Sequence, residues 1–160
     1  MKPWPIVDQS QLLQEDFFQG LKYFHSQDWL TALSYFRSIY HLVSKDDTFR
    51  CRYMSYYGLV QIYLGNIEGI QLCRRAACGE MMDAGVFCNL VMAELELDHR
   101  HNAYKALCQG LDIDQRHPGL NRMQLKMGMR RSVVVPFLKR RHWINRLLGR
   151  LMYRLFNNRF

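Results

Sequence analysis

The chain has 160 residues, of which 49% are hydrophobic, so it is long enough to bury one substantial core. Proline is rare and no Ser, Gln or Glu tract occurs, so no segment is predicted to be disordered. No run of about 18 apolar residues is present, and the first residues lack the apolar stretch of a secretory signal. These features predict a cytoplasmic protein.

The net charge of +8 is distributed unevenly along the chain. Residues 1–114 contain 10 Lys or Arg and all 14 acidic residues, whereas residues 115–160 contain 12 Lys or Arg and no acid. Such a split predicts that the two parts of the chain meet different surroundings.

The cysteines are odd in number and form no C-x-x-C pair, which predicts free, largely buried thiols in a reducing compartment. Cys73 and Cys78 lie within one predicted helix, and both are expected to be small core residues.

A helical hairpin is predicted near the N-terminus. Leu13, Phe17 and Leu21 recur at the spacing of one helical face, after a start near residues 8–10. Asp28 is suited to cap a second helix, which ends at the polar residues 44–47. Within this hairpin the residues expected in the core are Trp29, Ala32 and Phe36.

Two further hairpins follow, over residues 53–77 and 83–113. Their turns align with the first when Gln27, Gly65 and Asp98 are placed at equivalent positions, giving offsets of 38 and 33 residues. Gly65 is suited to the left-handed conformation that closes a helix. Offsets of about 34 residues are typical of helix-turn-helix repeats.

These hairpins resemble the tetratricopeptide repeat over roughly residues 13–117. The first unit matches best, and the other two retain part of the signature. The matching residues are Gly20, Tyr23, Trp29, Ala32 and Phe36 in the first unit, Gly58, Gly65, Asn66 and Ala77 in the second, and Leu90, Ala103 and residues 111–114 in the third. The resemblance implies an all-α solenoid that binds other proteins.

The chain after the repeats is predicted to close the solenoid and then extend beyond it. Pro118 suits the first position of a capping helix, with His117 or a neighbour as its cap. Residues 131–136 are expected to be extended, and residues 137–156 to form a basic amphipathic helix. We therefore predict a solenoid domain over residues 1–130, followed by a linker and basic helix over 131–160.

No motif for catalysis or for a cofactor is present, so we predict a non-enzyme without cofactor. His99 and His101 lie in a predicted turn without a third ligand nearby, and solvent-facing histidines are favoured there over a metal site.

The resemblance implies that the first helix of each unit lines a concave groove. The partner-binding residues predicted for that groove are Phe17, Leu21, Phe24, Arg52, Leu59, Ile62, Tyr63, Met92 and Leu95. Such an apolar surface suits a peptide with spaced hydrophobic anchors. Phe17, Leu21 and Phe24 are equally compatible with a core role. Family members that clamp a C-terminal carboxylate have Lys and Asn where this chain has Phe17 and Leu21, which argues against that binding mode.

In size, repeat number and apolar groove the chain resembles the class II chaperones of bacterial type III secretion, which hold apolar segments of translocator proteins. The expected function is thus an adaptor or chaperone for a protein segment.

The basic helix leaves two alternatives open for its own role. Its apolar face is expected either to pack on the repeats or to lie on an anionic membrane as a peripheral scaffold, whereas nucleic acid leaves the apolar rows unexplained. The cations of that helix are Lys139, Arg140, Arg141, Arg146, Arg150 and Arg154.

Overall fold

The structure, a computed structural model, describes residues 9–128. Every regular element in that range is an α-helix, which confirms the predicted all-α class. The helices are α1 (Gln9–His25), α2 (Trp29–Leu42), α3 (Arg50–Tyr63), α4 (Gly69–Gly79), α5 (Ala84–Glu96), α6 (Arg100–Ile113) and α7 (Pro118–Lys126). Over these residues, none of the helices combines the length and the apolar character needed to cross a bilayer.

The first six helices pair into three hairpins. Hairpin 1 is α1 with α2, hairpin 2 is α3 with α4, and hairpin 3 is α5 with α6. Helix α3 packs on α2, and α5 packs on both α3 and α4, so each hairpin stacks on the one before it. Helix α7 packs on α5 and α6, where the first helix of a further hairpin would lie. The predicted helical-hairpin solenoid and its closing helix are therefore confirmed.

The three hairpin turns share one backbone conformation at the positions aligned from the sequence. Gln27, Gly65 and Asp98 have positive φ values of 63°, 86° and 57°. In each turn the amide of the next residue donates to the carbonyl five positions back, over 3.0 Å, 2.8 Å and 2.8 Å. This is the Schellman arrangement, which satisfies carbonyls at a helix C-terminus. The turns thus repeat in geometry even though only the second contains glycine.

Side chains cap several of the helix starts. The Asp28 carboxylate accepts a hydrogen bond from the Thr31 amide at 3.2 Å, as predicted for the start of α2. At the start of α7, the His117 imidazole Nδ1 accepts from the Leu120 amide at 3.3 Å, with Pro118 as the first helical residue. Asp83 caps α5 by accepting from the Gly85 amide at 2.8 Å.

Close backbone approach occurs where the helices of hairpin 2 cross. A Cβ atom on Gly58 would lie 2.5 Å from the carbonyl oxygen of Gly69, and one on Gly69 would collide with the carbonyl of Gly58. Ile70, which follows Gly69, is buried. In hairpin 1, Ala32 and Phe36 are fully buried as predicted.

All five cysteines are free, as predicted. Cys73 is fully buried in α4, but Cys78 is exposed, so its predicted core role is wrong. The two residues are five positions apart, and at 3.6 residues per turn this spacing places them on different sides of the helix.

Candidate functional site

The first helices of the three hairpins share an apolar surface. The ring of Phe24 in α1 lies 6.2 Å from the ring of Tyr63 in α3, measured between centroids. The Tyr63 hydroxyl in turn donates toward the Met92 sulfur in α5, at 3.9 Å. All three side chains are half-buried. They form a continuous row that runs from one stacked hairpin to the next, and we call it the first-helix row.

Other aromatic side chains pack against this row and hold it in place. The Trp29 ring, at the start of α2, lies 4.6 Å from the Tyr63 ring and meets Phe24 edge-on at 5.3 Å. Tyr56 also meets Phe24 edge-on at 5.3 Å. Edge-to-face contacts of this kind restrict ring orientation. The row is therefore a preformed surface, and Trp29, which the sequence placed in the core, is a half-buried part of its wall.

The surroundings of Tyr63 disfavour loss of its proton. Burial raises the pKa of Tyr63 to about 12, and the carboxylate of Glu96 adds to the effect. Like an ordinary tyrosine, it is a neutral hydrogen-bond donor at physiological pH. Leu95 is half-buried beside the exposed Glu96 at the end of α5, so this edge of the row carries an apolar and an anionic group together.

An ion pair lies at the N-terminal ends of α3 and α5. The Arg52 guanidinium in α3 donates to the Asp83 carboxylate over 2.6 Å and also lies 5.4 Å from the centroid of the Phe49 ring. Asp83 is the residue that caps α5, so the pair links hairpin 2 to the start of hairpin 3. Arg52, predicted as a groove residue, is thus paired with a carboxylate of its own chain, and its role in binding stays a prediction.

Buried polar contacts beneath the row join the same two hairpins. The Asn89 amide donates to the Ser55 hydroxyl at 2.9 Å, and that hydroxyl donates to the carbonyl of Arg52 at 2.8 Å. Ser55 and Asn89 are both almost inaccessible to solvent. A satisfied buried network of this kind fixes how one helix sits against the next.

A buried carboxylate forms a second link, which the sequence did not predict. Glu94 in α5 is 1% exposed and accepts two hydrogen bonds from Arg74 in α4, at 2.7 Å and 3.0 Å. The oxygen Oε2 of Glu94 also lies 2.9 Å from Nδ1 of His99. Burial alone would raise the pKa of Glu94, but the hydrogen bonds from Arg74 and His99 outweigh it and lower the pKa. His99 is exposed, as predicted for this turn, and its ring also contacts the Glu94 carboxylate.

The structure divides the predicted groove residues into two groups. Leu21, Phe24, Tyr63, Met92 and Leu95 are half-buried and can be reached from solvent, so their role remains a prediction. Phe17, Leu59 and Ile62 are 6%, 0% and 4% exposed. Their predicted place on the binding surface is corrected to a core role, because neighbouring hairpins cover them.

The predicted basic helix, with its cations from Lys139 to Arg154, lies outside the described residues, as do the extended segment before it and the proposed domain boundary near residue 130. Among residues 9–128, no group of His, Cys, Asp or Glu side chains is arranged to hold a metal ion.

Comparison with known proteins shows the fold. No protein-family profile matches the chain, and no curated protein matches it in sequence. Among solved structures, PcrH in complex with the chaperone binding region of PopB is similar over 78% of this chain and 98% of its own, with a TM-score of 0.57 and 16% identity. PcrH from Pseudomonas aeruginosa is similar over 76% of this chain and 89% of its own, with a TM-score of 0.56 and 16% identity.

Proposed function

We propose that this protein is a non-enzymatic chaperone or adaptor that holds an apolar segment of another protein on the first-helix row. The observation that carries the proposal is the continuity of Phe24, Tyr63 and Met92 across three hairpins. An accessible apolar row of this kind marks a surface for interaction with another protein. An extended or helical segment with spaced apolar side chains would cover it.

The fold comparison supports the same direction. PcrH, whose fold this chain shares, has been crystallised with the chaperone binding region of PopB. A chain of this fold can therefore hold a segment of a second protein. We infer further that the protein acts as the class II chaperones of type III secretion do, keeping an apolar segment of a client covered until it is handed on.

The proposal is tested by replacing an apolar residue of the row with a charged one. Met92→Glu puts a carboxylate where a client's apolar side chain would lie, and we expect capture of the client in a pull-down to fall by about tenfold or more. Leu42→Glu is the matched control, because Leu42 is 56% exposed at the C-terminal end of α2, about 20 Å along the helix from Trp29. Circular dichroism checks that both variants keep their helical content.

The two variants separate the outcomes. Loss of the client with Met92→Glu and its retention with Leu42→Glu support the row as the binding surface. Equal capture by both variants would reject it. Leu59→Glu is not a useful variant, because that side chain is fully buried and its replacement would disrupt the core.

A further inference from the structure

Helix α7 changes the chemistry at one end of the first-helix row. Along residues 115–128 the chain carries Arg116, Arg122 and Lys126 and no acidic residue. Both Arg122 and Lys126 are exposed. Neither has an ion-pair partner among the described residues, whereas Arg52 and Arg74 are each paired with a carboxylate.

Arg122 lies toward the row because of how α7 packs on α5. Gly119 approaches Cys88 so closely that an added Cβ would be 2.6 Å from the sulfur. Arg122 follows Gly119 by three residues, so both lie on the same side of α7. The electrostatic effect of Arg122 on the Cys88 thiol agrees with this placement.

Cys88 is the link between α7 and the row. It lies on α5 one helical turn before Met92, so the two side chains share one side of that helix. The step from α5 to α7 also repeats the step from α3 to α5, since Arg122 follows Cys88 by the same 34 positions by which Asn89 follows Ser55. Asn89 is a neutral, buried group facing its partner helix, whereas Arg122 brings an exposed cation to the equivalent place.

Lys126 extends the cationic edge by one turn. It follows Arg122 by four residues and therefore lies beside it on the helix surface. At the opposite end of the row, the last turn of α1 also carries exposed basic residues, Lys22 and His25, beside Phe24. The row is thus bordered by aromatic rings at hairpin 1, whereas α7 adds the cations Arg122 and Lys126 and no aromatic side chain.

We propose that the client segment carries acidic residues next to its apolar anchors, at the end that lies against Arg122 and Lys126. This inference rests on the proposed function and adds the charge of the bound segment at the α7 end. Carboxylates beside the apolar anchors would pair with two exposed cations that have no ion-pair partner among the described residues.

The experiment is selection of random displayed segments of about 15 residues by the full chain. Three proteins are compared: the wild type, the double variant Arg122→Glu with Lys126→Glu, and a control with Arg37→Glu and Arg75→Glu. The control reverses two exposed arginines on the second helices α2 and α4. We expect the wild type and the control to enrich apolar segments with Asp or Glu at one flank, and the double variant to enrich Lys or Arg there.

Affinities of the selected segments complete the test. Replacing the acidic flank of a labelled segment by a basic flank should weaken binding to the wild type by about fivefold to tenfold at low salt, and by less at high salt. Apolar enrichment without a charge preference would overturn this inference and leave the proposed function standing. Failure to enrich apolar segments at all would overturn both.

Discussion

Arg74 holds the carboxylate of Glu94 with two hydrogen bonds, and the two residues differ sharply in their exposure. The side chain of Glu94 is 2% exposed, whereas that of Arg74 is 37% exposed. The link joins α4 of hairpin 2 to α5 of hairpin 3, and His99 at the start of α6 completes it. The cost of breaking such a link depends on which partner is left behind.

We expect Arg74→Met to destabilise the protein more than Glu94→Leu. Loss of the arginine leaves a buried carboxylate with only His99, which should cost about 2 kcal/mol of unfolding free energy, reduced from the full value for buried pairs because Arg74 is partly solvated. Loss of the glutamate leaves an arginine that water can reach, for about 1 kcal/mol or less. Urea denaturation of the two variants measures the difference, and equal or reversed costs would contradict the burial argument.

The same pair predicts a dependence on acid pH. The pKa of Glu94 is lowered from its ordinary value of 4.5, so the folded state favours the ionised carboxylate. Its contribution to stability is complete above that value and is lost as pH falls through the lower pKa of the folded state. The stability advantage of the wild type over Glu94→Gln should therefore shrink as pH is lowered from about 5 to about 3. An advantage that grows in acid would refute the assignment.

The left-handed turn residues make a third prediction. Gln27→Gly should stabilise the protein by about 1 kcal/mol, because glycine adopts a positive φ without the steric cost that a Cβ brings. Asp98→Gly should give a smaller gain, since aspartate tolerates this conformation better. Gln27→Ala is the control, because it shortens the side chain but keeps the Cβ, and it should bring no gain.

Gly65→Ala tests the same feature in reverse. No atom lies within 4 Å of the position its Cβ would take, so any loss must come from the backbone. We expect a loss of about 1 kcal/mol. Thermal or chemical unfolding measures all four variants, and a neutral Gly65→Ala would show that the turn does not need this conformation.

Thiol reactivity provides a fourth prediction. Burial raises the pKa of Cys73 to about 12 and that of Cys88 to about 11, so neither forms a thiolate readily in the folded protein. Cys78 is exposed. Alkylation of the native chain, followed by mass spectrometry, should modify Cys78 first and spare Cys73 and Cys88 until denaturant is added. Early modification of Cys73 would contradict its burial.

The repeating turns were predictable because their signal is local. A polar or glycine residue between two periodic apolar segments indicates a turn, and the offsets between Gln27, Gly65 and Asp98 follow directly from the sequence. The capping roles of Asp28 and His117 were predictable for the same reason, since a cap bonds to amides within three residues.

The site was only partly predictable because exposure depends on how the hairpins stack. Tyr63 and Ile62 are adjacent in α3, yet one is half-buried and the other belongs to the core. The Arg74–Glu94 pair connects residues 20 positions apart on different hairpins, and no local pattern links them. One signal was available: Glu94 lies in the apolar stripe of its helix, and a carboxylate there requires a partner.

The two interfaces between hairpins differ in kind. Hairpins 2 and 3 are joined by the Arg52–Asp83 and Arg74–Glu94 ion pairs. Hairpin 1 meets hairpin 2 through rings, with Phe17 4.9 Å from Tyr53 and Tyr40 5.1 Å from Tyr57.

In a linear array of this kind each interface opens with its own free energy. The first interface is a shared apolar cluster that includes Phe17, Phe36 and Tyr53, so its free energy comes from the burial of rings. Phe24 packs against the same cluster, which ties one end of the first-helix row to the core of the protein. That end of the row therefore cannot be rearranged without a cost to the core.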